Sequence, residues 1–316
     1  MLSQNLLHYL SLYTTFFMTT LEHHGVPQRL DTLLVAHFGY SRNFFHHIIS
    51  RGGVTMEGFS LKKSQRILPG TILMIDDLVR YTSLEILWES PEITIPVIYE
   101  HNDYIVIHKP KWVLSHPTSI REVHQPSVVG RLYYTYGKMP GVWPFVRAGL
   151  LHRLDRETDG LMLIPLCEAA LAWFKDLFVS KSSAVTLWAK QAVRLKKYYK
   201  AVVHPTSLGR TMLMGLTLPH VITSLIHPKV PHPPAPKIGI TIIHASTVLN
   251  PTTYVLDIEI LTGRTHQIRY HLAQMGLPIV GDYLYGKDEN LPLGLTAYQL
   301  EFEDHLGDYH TITLPK

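Results

Sequence analysis

Asp155 is the carboxylate in this chain with the clearest capacity for chemistry. It stands in the stretch Leu151-His152-Arg153-Leu154-Asp155-Arg156-Glu157-Thr158-Asp159-Gly160, which runs into the apolar residues 161–164. That apolar run reads as a buried strand. Gly160 in front of it lets the backbone turn tightly or come close to another group. Asp155 then sits on a loop at the mouth of a sheet between Arg153 and Arg156. Guanidinium groups beside a carboxylate favour its charged form, the form that acts as nucleophile or base. A loop held together by salt bridges is the competing reading, and this stretch alone does not choose between them.

A second stretch joins charge to aromatic rings. Residues 181–200 hold six Lys or Arg and no acidic residue, interleaved with Trp188, Tyr198 and Tyr199. That composition suits a flipped or single-stranded base, and it equally suits a solvated amphipathic segment. A third is built on a break: Thr262-Gly263 interrupts an apolar run, and a helix beginning near Thr265 puts Ile268, Leu272 and Met275 on its inner face, with Gly276 as cap. The 20 histidines show no metal-ligand spacing, and His23-His24 and His46-His47 are adjacent pairs that do not share a helix face. A single cysteine, Cys167, excludes a disulfide framework and a cysteine-based zinc site and fits a reducing compartment. No metal and no cofactor is assigned.

The elements that must position these residues divide the chain. A length of 316 residues is comfortable for two domains. Residues 1–25 lack a positive n-region and a cleavage site, and their apolar run is too short and broken to span a bilayer; they read as a tail or a short added helix, and Met18 is a second candidate start. Residues 26–80 read as a small α+β unit: Leu30, Leu33, Leu34 and Phe38 at helical spacing, a second helix capped by Ser41 and ended by Gly52-Gly53, then strands at 54–56 and 72–75. Seven Lys or Arg against four Asp or Glu lie here, and Arg42, Arg51, Lys62, Lys63 and Arg66 can form one basic face for phosphates. Residues 81–95 read as a linker with Pro91 as a breaker. From residue 96 on, a hairpin (97–100 and 104–110), a helix (168–180) and strands at 238–243 and 254–261 follow. Residues 228–236 form a proline-rich surface excursion. The formal net charge of +4 permits a nucleic-acid partner without demanding one.

Three of these stretches resemble, in order, motifs of the RluA-type pseudouridine synthases. His152-Arg153-Leu154-Asp155-Arg156-Glu157-Thr158-Asp159-Gly160 resembles H-R-L-D-[KR]-x-T-S-G, with Asp159 where the family has Ser. Lys197-Tyr198-Tyr199-Lys200-Ala201-Val202-Val203 resembles K-x-Y-x-A-x-V. Residues 261–286 follow L-x-T-G-R-T-H-Q-I-R-x-H-L-A-x-x-G-x-P-I-x-G-D-x-x-Y-G almost letter for letter, and the closing strand has Thr296 in place of the family's His. The interval from Asp155 to Tyr199 is longer than the family's, the excess falling in residues 180–192. The small unit resembles the S4 RNA-binding domain through R-L-D-x-L-L, I-x-x-G-x-V and P-G-T-x-L.

The resemblance implies an α+β fold: an S4-like RNA-binding domain, then a catalytic domain over 96–316 with a large, mostly antiparallel sheet and a central cleft. It implies isomerisation of uridine to pseudouridine in structured RNA, with ribosomal RNA the first expectation and transfer RNA the alternative. It gives Asp155, Tyr199 and Arg269 catalytic roles, with Arg269 pairing Asp155. Arg153, Arg156, Lys109, His116, Arg264 and His266 would contact substrate or, for Arg264 and His266, hold the loop. A monomeric cytoplasmic protein without a membrane segment is expected. A catalytically silent RNA-binding protein should lack one of Asp155, Tyr199 and Arg269, and all three are present. A hydrolase using Asp155 with His152 or His266 should carry a second carboxylate loop or a nucleophile elbow, and G-x-S-x-G is absent from the sequence.

Overall fold

The computed structural model describes residues 18–38, 42–78, 90–117, 122, 125–137, 149–182, 194–230, 235–286 and 291–315. The described residues form two compact units, one running to residue 78 and joined by Pro117 and Glu122, the other made of the remaining residues from 90 onward.

In the smaller unit, helices α1 (Leu30–Phe38) and α2 (Arg42–Ser50) accompany a four-stranded sheet. Its strands are β1 (Thr19–His23), β3 (Val54–Met56), β4 (Phe59–Ser60) and β6 (Thr71–Ile75), in the order β1-β6-β3-β4. The short strands β2 (Gln28–Arg29) and β5 (Arg66–Ile67) pair separately. Leu30, Leu34, Phe45, Ile48, Val54, Leu73 and Ile75 make its core. Residues 19–23 correct the expectation of an N-terminal appendage: the alternation of Leu21 and His23 inward with Thr20 and Glu22 outward makes a strand, antiparallel to β6. Asp31, almost fully buried, accepts both Nε and Nη2 of Arg29 (2.9 Å each) and lies 3.0 Å from His46 Nε2 and 3.8 Å from Arg42 Nε. Arg42, Arg51, Lys62, Lys63 and Arg66 are all exposed. The cap expected at Ser41 lies outside the described residues.

The larger unit is built on a mixed sheet. Its strands are β7 (Val97–Glu100), β8 (Tyr104–Lys109), β9 (Asp159–Pro165), β10 (Leu195–Val203), β11 (His220–Ile226), β12 (Lys237–Asn250), β13 (Thr253–Ile260), β14 (Leu295–Glu303) and β15 (Tyr309–Thr313). Their order is β11-β12-β13-β10-β14-β9-β8-β7, with β15 on β14. Every pairing is antiparallel except β9 with β14. Helices α3 (Val128–Tyr136), α4 (Glu168–Ser182), α5 (Ser207–Gly215) and α6 (Gln267–Gln274) complete it. The linker expectation is corrected at its end: Ile93 and Ile95 pack against the main core, and Ser90 Oγ accepts the Ser127 amide (3.1 Å). The rest of that linker, most of residues 180–192 and residues 231–234 lie outside the described residues.

The continuous apolar runs of β8 and β9 have a physical reason. Ile105, Ile107, Met162 and Ile164 face one core; Tyr104, Val106, Leu161 and Leu163 face a second, under α4 and β15. A strand covered on both faces has no polar side to alternate with. Each such side chain contributes about 1.5–3 kcal/mol on burial, so the strand that leaves the Asp155 loop is anchored along its length. The first of these cores also contains Leu154, Tyr199 and Ile268. These are the residue before Asp155, the expected tyrosine itself, and the residue before Arg269, so one apolar cluster draws the three sequence motifs together.

The parallel contact of β9 and β14 is made at two positions, Asp159 with Thr296 and Gly160 with Ala297. Gly160 has φ +131°, and a Cβ there would lie 2.3 Å from the Ala297 carbonyl oxygen and 2.5 Å from its amide nitrogen. Gly160→Ala should therefore lower stability by about 3 kcal/mol or more. Gly307→Ala, at φ +92° with open space around it, should cost only the backbone strain, about 1–2 kcal/mol. Denaturant unfolding of the two variants checks this, and equal losses would contradict the close approach.

Candidate active site

The loop from Leu151 to Thr158 is fixed by bonds to its backbone. Ser115 Oγ donates to the Leu154 carbonyl (2.7 Å) and accepts the Leu154 amide (3.0 Å). The Trp112 amide donates to the Arg156 carbonyl (2.7 Å), and Arg156 Nε donates back to the Trp112 carbonyl (3.3 Å). The Thr158 amide closes a turn on the Asp155 carbonyl (3.1 Å). Asp155 lies between these tethers with its side chain about one-fifth exposed.

Lys109 and Arg269 depart from expectation. Lys109 does not line a cleft as a substrate contact. Its side chain is buried, and Nζ donates to the carbonyls of Pro110 (2.8 Å), Val113 (2.8 Å) and Arg156 (3.3 Å). Burial pushes its pKa down to about 8 against the pull of Asp159, Asp155 and Glu157. Arg269 does not hydrogen-bond Asp155. Its Nε and Nη2 form a bidentate pair with Asp282 (2.9 and 2.7 Å), both side chains being about 1% exposed. Two-point geometry matches a guanidinium to a carboxylate, and Asp282 in turn accepts the amides of Leu284 and Tyr285 (3.0 Å each). The remaining nitrogen, Nη1, is buried without a hydrogen bond, 3.8 Å from Glu157 Oε2. Arg269 and Asp155 thus interact through charge and not through a hydrogen bond.

Among the described residues, His266 is the basic side chain within 4.0 Å of the Asp155 carboxylate, with Nε2 4.0 Å from Oδ2. It is the N-cap residue of α6 and lies in the left-handed region (φ +56°), which histidine enters more readily than most non-glycine residues, and its Nδ1 lies 3.2 Å from the Tyr285 hydroxyl. Burial, reinforced by Arg269, pushes the imidazole pKa down against Asp155. Tyr199 is buried on β10. Burial, and behind it the charge of Asp155, pushes its phenol far up, so it stays protonated at neutral pH.

The other expected residues fall around this centre. Arg153 Nη2 donates to Thr265 Oγ1 (3.2 Å), joining the two motif loops, and Arg264 Nε donates to the Ile238 carbonyl (3.0 Å). His116 is buried beside Ser115. His152 is occupied structurally: Nε2 accepts the Leu163 amide (3.0 Å), and the ring stacks on Phe178 at 4.9 Å. The two departures from the family pattern meet: Thr296 Oγ1 donates to Asp159 Oδ1 (2.9 Å), and Lys111 Nζ and His108 Nε2 approach the same carboxylate at 3.7 and 3.6 Å.

Sequence reasoning missed three positioning residues. Ser115 carries no motif signal. Asp282 and Gln267 are motif letters to which no role was given. Gln267 Oε1 accepts Thr262 Oγ1 (2.7 Å) and the Arg264 amide (3.1 Å), while Nε2 donates to Ile240 and Thr241, locking the turn before α6. No group of three or more His, Cys, Asp or Glu suited to a metal occurs among the described residues.

Lys197 is also buried, its ammonium 5.2 Å from the Phe178 ring centre, and burial pushes its pKa down to about 8. The unfolded chain holds that proton more tightly between about pH 8 and the ordinary 10.5, so stability rises with pH across this window. Lys197→Met should stabilise the protein most near pH 7 and progressively less towards pH 10. Unfolding curves of wild type and variant across that range check it; a gap independent of pH would contradict the depressed value.

The family model described as RNA pseudouridylate synthase matches residues 103–274, a span holding Asp155, Tyr199 and Arg269. The ribosomal large subunit pseudouridine synthase D of Yersinia pestis is 31% identical over 271 residues, covering 84% of this chain and 75% of its own. The protein of the same name from Salmonella typhimurium is 30% identical over 281 residues, covering 87% and 78%. Among solved structures, human RNA pseudouridylate synthase domain containing 1 is 20% identical with a TM-score of 0.49, covering 71% of this chain and 84% of its own. The span of the family match and the identity held over most of the chain show that this protein belongs to the RNA pseudouridylate synthase family.

Proposed function

We propose that this enzyme isomerises uridine to pseudouridine in ribosomal RNA, with Asp155 as the group that starts the reaction. The observation that carries this reading is the tethered loop: the backbone of Leu154 and Arg156 is bonded on either side of Asp155, whose carboxylate has His266 at 4.0 Å and interacts by charge with the buried Arg269. Ribosomal RNA is favoured because the relatives named above act on the large ribosomal subunit; transfer RNA is the alternative.

The target base must leave its stack to reach a side chain. Asp155 promotes cleavage of the C1′–N1 bond, the freed uracil rotates, and a C1′–C5 bond forms. The proton on C5 must then leave. Tyr199 is a phenol here, so it accepts that proton only while its own hydroxyl proton passes to the Asp155 carboxylate, acting as a shuttle and not as a phenolate. The fixed charge of Arg269 stabilises negative charge developing on the departing base. Asp155→Asn keeps the shape and removes the charge. It should abolish pseudouridine formation in a purified rRNA transcript while RNA binding persists; turnover within about tenfold of wild type, under about 1.4 kcal/mol of barrier, would contradict the role. Tyr199→Phe should keep the ring against the base and lose about 10²-fold or more in rate.

The smaller unit reads as an S4-type RNA grip, supported by six exposed Lys or Arg among its described residues and by Asp31, which gathers Arg29, Arg42 and His46. Each phosphate contact removed should lower the slope of log K against log salt by about 0.7–0.9. Replacing Arg51, Lys62 and Lys63 together by Gln should therefore reduce the slope by about 2 and weaken binding at low salt. An unchanged slope would show that this face meets no phosphate.

A further inference from the structure

Two exposed aromatic rings stand beside the Asp155 loop, and for Trp112 no contact among the described residues requires an aromatic ring. Trp112 is 55% exposed and has φ +67°. A bulky residue in the left-handed region is a genuine outlier, and such strain gathers at functional sites. Both of its bonds to Arg156 use backbone atoms, the Trp112 amide and carbonyl, so glycine would serve the loop equally and without strain. No ring or cation contact to the indole occurs among the described residues. Tyr283 is 44% exposed, rests over the Arg269 guanidinium at 5.7 Å, and reaches Glu157 through its hydroxyl at 3.4 Å. It occupies a position that the G-D-x-x-Y-G pattern leaves open. Trp112 is thus tied to residue 156 and Tyr283 to residue 157, the two residues that follow Asp155, with the exposed Arg153 and Arg156 alongside.

Exposed rings interleaved with guanidinium groups are the chemistry that holds unstacked bases, because every base offers a π-face. From these rings, their strain and their tethers we infer that Trp112 and Tyr283 stack on the bases flanking the target uridine and so help to set which RNA sequence the enzyme accepts. This rests on the synthase reading. The rings replace the stacking that the substrate loses when the target nucleotide is extruded, and their attachment to residues 156 and 157 places that replacement beside Asp155.

The test is equilibrium binding of a labelled uridine oligonucleotide of about ten residues to the full-length protein. The variants are Trp112→Gly, Trp112→Phe and Tyr283→Leu. Trp112→Gly removes the ring and relieves the strained backbone, so its melting temperature should equal or exceed that of wild type while affinity falls about tenfold. Trp112→Phe should recover most of that loss, and Tyr283→Leu should lose a similar factor. A second probe of the same length and charge, abasic on both sides of the central uridine, should bind wild type and variants alike. If every variant binds the fully based probe as wild type does, or if the losses persist on the abasic probe, the inference is overturned. Binding is read without turnover. If RNA is isomerised but the rings prove silent, this inference alone fails. If the rings grip RNA but no uridine is ever converted, the functional reading fails and the stacking role stands.

Discussion

Lys109 is an ammonium ion enclosed by protein, and the position of the loop carrying Asp155 depends on it. Removing such an ion from water costs several kcal/mol. Three charge-assisted bonds of about 1.5–3 kcal/mol each offset that cost only when all three carbonyls are in place. Two of those carbonyls, of Pro110 and Val113, lie on the segment that follows β8, and the third belongs to Arg156. The ion therefore favours one arrangement of two loops over the many in which one carbonyl has drifted. Ser115 adds the reciprocal pair to Leu154, and Trp112 adds a backbone bond to Arg156. Placement of a reacting group before the substrate arrives is a large part of what an enzyme does, since the ordering entropy is spent in folding.

Electrostatics follow the same logic at Arg269. A buried guanidinium with no acceptor would be strongly destabilising, and the bidentate Asp282 supplies one. With two nitrogens so occupied, the third edge is left towards Glu157 and the Asp155 loop. The charge is fixed in place and shielded from water, the condition under which it acts most strongly on a developing anion. Exit from the loop is fixed separately, where Asp159 meets Thr296 and Lys111 and where Gly160 lets the β14 backbone approach. The two letters in which this chain leaves the family pattern are in direct contact, so each departure finds its partner in the other.

Much of this was legible in the residues. The apolar run after Gly160 is a doubly covered strand, the break at Thr262-Gly263 precedes a helix, and the hairpin of β7 and β8 lies where alternation and turn residues put it. These elements are legible because their patterns are local, whereas the mostly antiparallel sheet that joins them is what the family resemblance implies. Partners are not local. Arg269 and Asp282 are 13 residues apart, and Ser115 and Leu154 are 39 apart. No periodicity announces which acceptor a buried cation finds, so neither the Asp282 partner of Arg269 nor the carbonyl cage of Lys109 is visible in the sequence. The strand at residues 19–23 is hidden in the sequence for the same reason: with only two inward side chains, its pattern gains meaning from its pairing with β6.

The central claim is that Asp155 is held in place before RNA arrives. Amide hydrogen exchange in the RNA-free protein tests it directly at the amides of Leu154, Trp112 and Thr158, whose acceptors are Ser115 Oγ and the carbonyls of Arg156 and Asp155. The account predicts protection close to that of the β8 and β9 amides, with Leu154 losing it in Ser115→Ala. Exchange at the rate of an open loop in the free protein, with protection appearing only when RNA is bound, would contradict it.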